Sequence, residues 1–310
     1  MDVRYRTRRE IRKCEAALGH RLVEARRDWN RRLRRVDEAL VGGGGEQRRT
    51  HNTGINYWGS KRRIAPEIVR HILPAFSKKR RTFAEPFCGT AYVSAELMAH
   101  RRGIKYILSD VNPHMIALLS ALRRGWSPTY RRITQKTWDR WKRNKHVTDP
   151  SKTFYGITHG FGGMFLNGSK PRLCPGSSTD SKRYVTRKIN ALKDTHGHMR
   201  SVRVLHKSYE ACDYKNTVIY CDPPYVCGTS SNARCWDAQE YHTFLARVHF
   251  WLKPSKNNRV FLSGSFAPPA HKGLRKRRVW SSRMYTPQSS KKSTGRRDEY
   301  LWEYLRNTRS

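Results

Sequence analysis

Val218-Ile219-Tyr220-Cys221-Asp222-Pro223-Pro224-Tyr225 decides how this chain is read. Its first four residues are β-branched, aromatic and small apolar side chains, a run that suits a short buried strand. The two prolines end it, since neither has an N–H for the ladder. A carboxylate, a stiff Pro-Pro pair and an aromatic ring therefore emerge at the strand's C-terminal end, where open α/β sheets bind ligands. A strand followed by a plain proline turn, with Asp222 as a cap and Tyr225 as packing, fits the same residues. The surrounding chain has to decide.

Upstream, Thr82-Phe83-Ala84-Glu85-Pro86-Phe87-Cys88-Gly89-Thr90-Ala91-Tyr92-Val93 reads as strand, glycine turn and helix. Tyr106-Ile107-Leu108-Ser109-Asp110 then makes a second strand ending in an acid. Its distance of about twenty residues from the glycine turn is where nucleotide-binding folds set a carboxylate for ribose hydroxyls. An ordinary βαβ unit fits as well, because Ala91 occupies the place of a second glycine. Earlier still, Asn56-Tyr57-Trp58-Gly59-Ser60-Lys61 runs into a helical pattern (Ile64, Ile68, Val69, Ile72) that ends near Pro74. Such a turn can aim backbone amides at a carboxylate, and G-S-K is also common in plain turns.

Downstream, Tyr241, Leu245, Val248 and Leu252 predict a helix stopped at Pro254, and Arg259 to Gly264 a strand. Val279-Trp280 and Tyr300 to Tyr304 predict closing strands around a basic loop. Between Pro113 and Lys207 the pattern is harder to read. A helix (Met115, Ile116, Leu119, Leu122) leads into a basic stretch with Trp126, Tyr130, Trp138 and Trp141, then Phe161-Gly162-Gly163-Met164-Phe165, then a helix over 183–192. Cations interleaved with aromatics suit phosphate contact and base stacking; a half-buried insertion with a solvated face is the plainer reading.

Residues 1–41 carry apolar side chains at threes and fours with arginine-rich faces between, which predicts a basic amphipathic helical extension. The glycines at 42–45 open a linker over 42–53. Docking on a partner, gripping a phosphate backbone and packing on the main domain are all open to this extension.

The 310 residues carry 64 Lys and Arg against 24 Asp and Glu, a formal charge of +40 spread along the chain. A polyanion, nucleic acid above all, is the partner that such self-repulsion accommodates. Seven cysteines without a C-x-x-C pair predict free thiols in a reducing compartment rather than a zinc site. The start of the sequence lacks an apolar signal core, and no run approaches the roughly 18 apolar residues of a membrane span. The expectation is a soluble cytoplasmic protein without metal.

Y-W-G-S-K, E-P-F-C-G-T-A, L-S-D-V-N and Y-C-D-P-P-Y, in that order and spacing, resemble the Dam-type (alpha-class) adenine-specific DNA methyltransferases. E-Y-H-x-F-L, V-F-L-S-G-S and R-R-D-E-Y-L-W extend the likeness, which covers roughly residues 54–305. The resemblance implies an α/β fold: a Rossmann-like methyltransferase sheet over 54–112 and 201–310, with a mostly helical target-recognition region inserted at 113–200. It implies S-adenosylmethionine as methyl donor. Tyr57, Trp58, Gly59 and Lys61 would help hold the donor, with Glu85, Pro86, Phe87 and Gly89 on its methionine side. Asp110 would meet its ribose, and Asp222 would border it.

The same resemblance assigns Asp222, Pro223, Pro224 and Tyr225 to catalysis. An adenine amino nitrogen is a poor nucleophile because its lone pair is delocalised into the ring. Asp222 and the Pro223 carbonyl could each accept one amino hydrogen, and Tyr225 could stack on a base flipped out of the duplex. The expected partner is double-stranded DNA, in a phage, mobile-element or restriction-modification setting. An RNA adenine methyltransferase, or an inactive nucleic-acid-binding protein on the same scaffold, would share these features. Three departures from the family pattern stand out. Ala91 replaces a glycine, with a methyl group that is expected to crowd the turn. Ser208-Tyr209 stands where an acid usually precedes the aromatic. The insertion does not resemble the segment that reads GATC in the family's best-known members.

Overall fold

The computed structural model describes residues 55, 57, 59–101, 103–171, 181–224, 236–264, 272–285 and 296–306. The extension expected at 1–41 and the linker at 42–53 lie outside the described residues. So do Trp58 and Tyr225.

Seven strands form one sheet: β1 (Thr82–Glu85), β2 (Lys105–Asp110), β3 (Val202–His206), β4 (Thr217–Cys221), β5 (Arg259–Gly264), β6 (Leu274–Tyr285) and β7 (Arg296–Arg306). Their order is β3-β2-β1-β4-β5-β7-β6. β1 to β5 run parallel, and β7 pairs antiparallel with both β5 and β6. This is the Rossmann-like methyltransferase sheet that the resemblance implies. The order reverses between β1 and β4, which opens a crevice at their C-terminal ends. β4 is buried along its whole length, as its unbroken apolar run requires.

Helix α1 (Ala65–Ile72) buries Ala65, Ile68, Val69 and Ile72 and gives way to a 3₁₀ turn over Leu73–Ala75. α2 (Tyr92–His100) follows the glycine turn, and α3 (Pro113–Arg123) follows β2. The Asn112 side chain caps α3 by accepting from the His114 and Met115 amides, with proline in the first turn. α4 (Gln135–Arg143), α5 (Pro150–Thr158) and α6 (Ser181–Met199) lie between α3 and β3 in the chain, and α7 (Ala238–Trp251) precedes β5. A reciprocal Asp237–Glu240 capping box starts α7.

The structure corrects the sequence reading in the middle region and at the sheet edges. Trp138 and Trp141 of α4 are buried, so they pack the interior instead of offering stacking surfaces. Tyr130 remains 40% exposed, with the Lys182 ammonium 5.9 Å from its ring centre. The structure also adds β3, which lies at one edge of the sheet, and extends β6 at the other edge back to Leu274. One arginine of the basic strand β6 has a partner within the sheet. Arg277 of β6 and Arg259 of β5 both pair with the fully buried Glu303 of β7. No described helix is long and apolar enough to cross a membrane.

Candidate active site at the strand ends

β1, β2 and β4 each end at or beside an acid: Glu85, Asp110 and Asp222. On the β2 side, Asp110 Oδ2 accepts the Gly89 amide at 2.8 Å and Oδ1 accepts the Asn112 amide at 2.8 Å. Burial pushes its carboxyl up, and these two amides pull it back down. Each carboxylate oxygen has a second lone pair, so Asp110 can still receive ribose hydroxyls. Tyr57 stands beside it. Burial first and the Asp110 charge second raise the Tyr57 phenol, and the Asn112 side chain bonds to it.

The glycine turn keeps its shape despite Ala91. Ala91 takes the left-handed conformation (φ 55°) that glycine normally supplies. Ala91 is buried and lines an apolar cavity with Ile55, Ala95, Leu119, Leu122, Leu192 and Met199. The residue expected to crowd the turn is packed in the interior. A Cβ built at Gly59 or Gly89 would meet nothing within 4 Å, which leaves room above both turns.

On the β4 side stands a constellation that the sequence reading did not assemble. Asp222 follows β4 directly, 19% exposed, and its Oδ1 lies 2.7 Å from Lys61 Nζ. Lys61 is itself buried, and its carbonyl accepts the first turn leading into α1, from the amides of Ile64 and Ala65. Its ammonium also lies 3.6 Å from Glu299 Oε1 on β7. Ser263, at the end of β5, donates to the same Asp222 oxygen at 3.1 Å, and Tyr220 OH lies 2.7 Å from Ser263 Oγ. Strand register accounts for this, since Cys221 lies opposite Leu262 and so brings Asp222 beside Ser263.

Glu85, at the end of β1, lies between the two groups. Its carboxyl is buried and accepts from the Ser94 amide at 3.3 Å and from the Ser94 hydroxyl, at the N-terminus of α2. Burial, reinforced by the charges of Asp222 and Asp110, pushes it up to about 8, against the pull of Ser94. Phe87 is half-buried, with ring centres of Tyr209, Trp236 and Phe244 at 5.2, 5.6 and 5.7 Å. It forms part of an aromatic wall. Ser208 caps the turn at Tyr209–Ala211, and its hydroxyl also meets the Glu210 carboxylate at 3.3 Å. Pro223 is buried and Pro224 half-buried behind Asp222.

Of the predicted site residues, Tyr57, Gly89 and Asp110 come together, and Lys61 joins Asp222. Glu85 lies near enough to feel the charges of both groups while bonding to α2. Ser263, Tyr220, Asn112 and Glu299 were missed. Ser263 and Glu299 lie in V-F-L-S-G-S and R-R-D-E-Y-L-W, stretches noticed for their likeness without a role. Among the described residues no cluster could hold a metal ion. Room over Gly59 and Gly89, with acids on both sides, fits a cationic cofactor such as S-adenosylmethionine.

Residues 57–170 match the model of the D12 class N6 adenine-specific DNA methyltransferases. The match includes Tyr57, Lys61, Glu85, Gly89 and Asp110 and stops short of Asp222. The family read from the sequence is thereby found independently over this part of the chain. A comparison with curated proteins finds no match. Among solved structures, a candidate RNA methyltransferase from Pyrococcus horikoshii superposes with a TM-score of 0.40 and 9% identity, over 89% of this chain and 98% of its own.

Proposed function

We propose that this protein is an S-adenosylmethionine-dependent methyltransferase acting on the exocyclic amino group of adenine in duplex DNA. The observation that carries the reading is Asp222, backed by two prolines at the switch point of the sheet, with Lys61 and Ser263 on one of its oxygens. S-adenosylmethionine supplies a methyl group already activated on a sulfonium, so the protein's task is alignment and electrostatics. Asp222 and the Pro223 carbonyl accept the two amino hydrogens and free the nitrogen lone pair. Tyr57, Gly89 and Asp110 hold the donor from the β2 side, with Trp58, Gly59, Pro86 and Phe87 around it. Tyr225 stacks on the flipped base. Residues 113–200 contact the target, and the +40 charge favours a nucleic-acid partner.

The test is incubation of the full chain with labelled S-adenosylmethionine and unmethylated duplex DNA, single-stranded DNA or RNA, followed by nucleoside mass spectrometry. N6-methyladenine in duplex DNA, absent with Asp222→Ala, is the expected result. Product in RNA alone would move the substrate class. Cofactor binding without product from any substrate would return the chain to the inactive-scaffold reading.

A further inference from the structure

We infer that Glu299 is a positioning residue for Asp222, acting through Lys61, with Ser263 completing the arrangement. The inference rests on the proposed role of Asp222 at the substrate's amino group.

A carboxylate alone is a poorly defined acceptor, because its terminal torsion is broad and two-fold, so its oxygens exchange readily. At Asp222 this symmetry is broken. Among the described residues, both of its partners sit on Oδ1: Lys61 Nζ at 2.7 Å, from the turn before α1, and Ser263 Oγ at 3.1 Å, from β5. Two donors from separate elements fix the carboxylate plane and assign Oδ2 to the substrate. Ser263 has one proton and gives it to Asp222, so Tyr220 donates to Ser263 at 2.7 Å in a relay rooted in β4.

Lys61 needs a reason to stay where it is. Its side chain has four rotatable bonds, and a lysine held by one acid can follow that acid. Glu299 supplies the second anchor, 3.6 Å away on a different strand, and both Lys61 and Glu299 side chains are only 8% exposed. A buried ammonium between two carboxylates is compensated from both sides. The arrangement also has an electrostatic consequence. One lysine shared by two acids does not cancel Asp222, whereas a lysine given wholly to Asp222 would blunt it as an acceptor. Glu299 therefore sets both the place of Lys61 and the strength of Asp222, without touching substrate.

The experiment measures steady-state methyl transfer by the full chain and its Glu299→Gln, Glu299→Asp, Lys61→Met, Ser263→Ala and Lys61→Met/Glu299→Gln variants. Glu299→Gln is expected to lower kcat about ten- to hundredfold, with KM for both substrates within about twofold. Glu299→Asp should recover part of the loss. The double variant should be no slower than Lys61→Met alone, because the two residues act as a unit. Ser263→Ala, a milder change should Glu299→Gln fail to fold, is expected to cost several-fold in kcat. If the parent turns over and Glu299→Gln stays within twofold in kcat, or raises only KM for S-adenosylmethionine, the positioning role is wrong. Additive losses in the double variant also overturn it. If the parent itself makes no methyladenine, the functional reading fails first and takes this inference with it.

Discussion

β1 and β4 are neighbours, run parallel and end alike, in Glu85-Pro86 and Asp222-Pro223, yet their two acids live in different chemistry. Glu85 turns inward to the first turn of α2, buried, with Ser94 as its partner. Its proton stays on until about pH 8. Asp222 turns toward the crevice, partly exposed, against the Lys61 ammonium. The same acid-proline strand end thus gives a protonated structural group on one strand and a cation-braced acceptor on the next. Surroundings decide how each of the two acids is used.

The contrast breaks most visibly at Asp222. Asp222→Asn keeps the shape but makes half of the group a donor, and turnover should fall about 10³-fold while S-adenosylmethionine binding persists. Comparing kcat with a cofactor titration checks this; near-parental turnover would remove Asp222 from the reaction.

Glu85 sharpens the comparison through pH. Its folded value, about 8, lies above its ordinary value of 4.5, so the folded state holds a proton that the unfolded state has released. Stability is fullest below about pH 4.5, declines as pH rises toward 8 by up to about 1.4 kcal/mol per unit, and levels off beyond. Glu85→Gln should flatten this decline, as urea midpoints measured from pH 5 to 8 would reveal. A slope equal to the parent's would show that other groups own it.

Ser94→Ala probes the inward partner. It should cost about 1 kcal/mol and, by removing a bond that lowers Glu85, carry the end of the decline to higher pH. The smallest effect belongs to Ala91→Gly. It relieves a left-handed alanine but loses a buried methyl and adds unfolded-state entropy, so unfolding free energy should change by less than about 1 kcal/mol. A large gain in cofactor affinity would mean that the methyl does face the donor.

These carboxyls also mark what could be read from the chain. β1, β2, β4 and β5 were legible because a parallel strand buried on both faces is an unbroken apolar run, and three of them end in turns whose residues announce themselves. The edges were not. β3 reads V-R-V-L-H beside an opaque stretch, and the start of β6 reads L-R-K-R-R, charges that guard an edge and answer Glu303. Trp138 and Trp141 misled because basic neighbours imitate a stacking surface when the helix phase is unknown. Asp110 and Asp222 were found at their strand ends, but the link from Asp222 to Lys61 and on to Glu299 joins residues from opposite ends of the described chain. No local pattern encodes such a meeting.

That last separation reaches into how the protein is made. Lys61 leaves the ribosome long before Asp222 and Glu299, and Ala84 must wait for Ile219 to find its neighbour in the sheet. A nascent chain stalled after β3 holds an ammonium destined for burial with neither of its acids yet synthesised. The centre of the sheet therefore closes late, through contacts between distant residues that fold slowly. No truncated product that ends before β7 can carry the complete network.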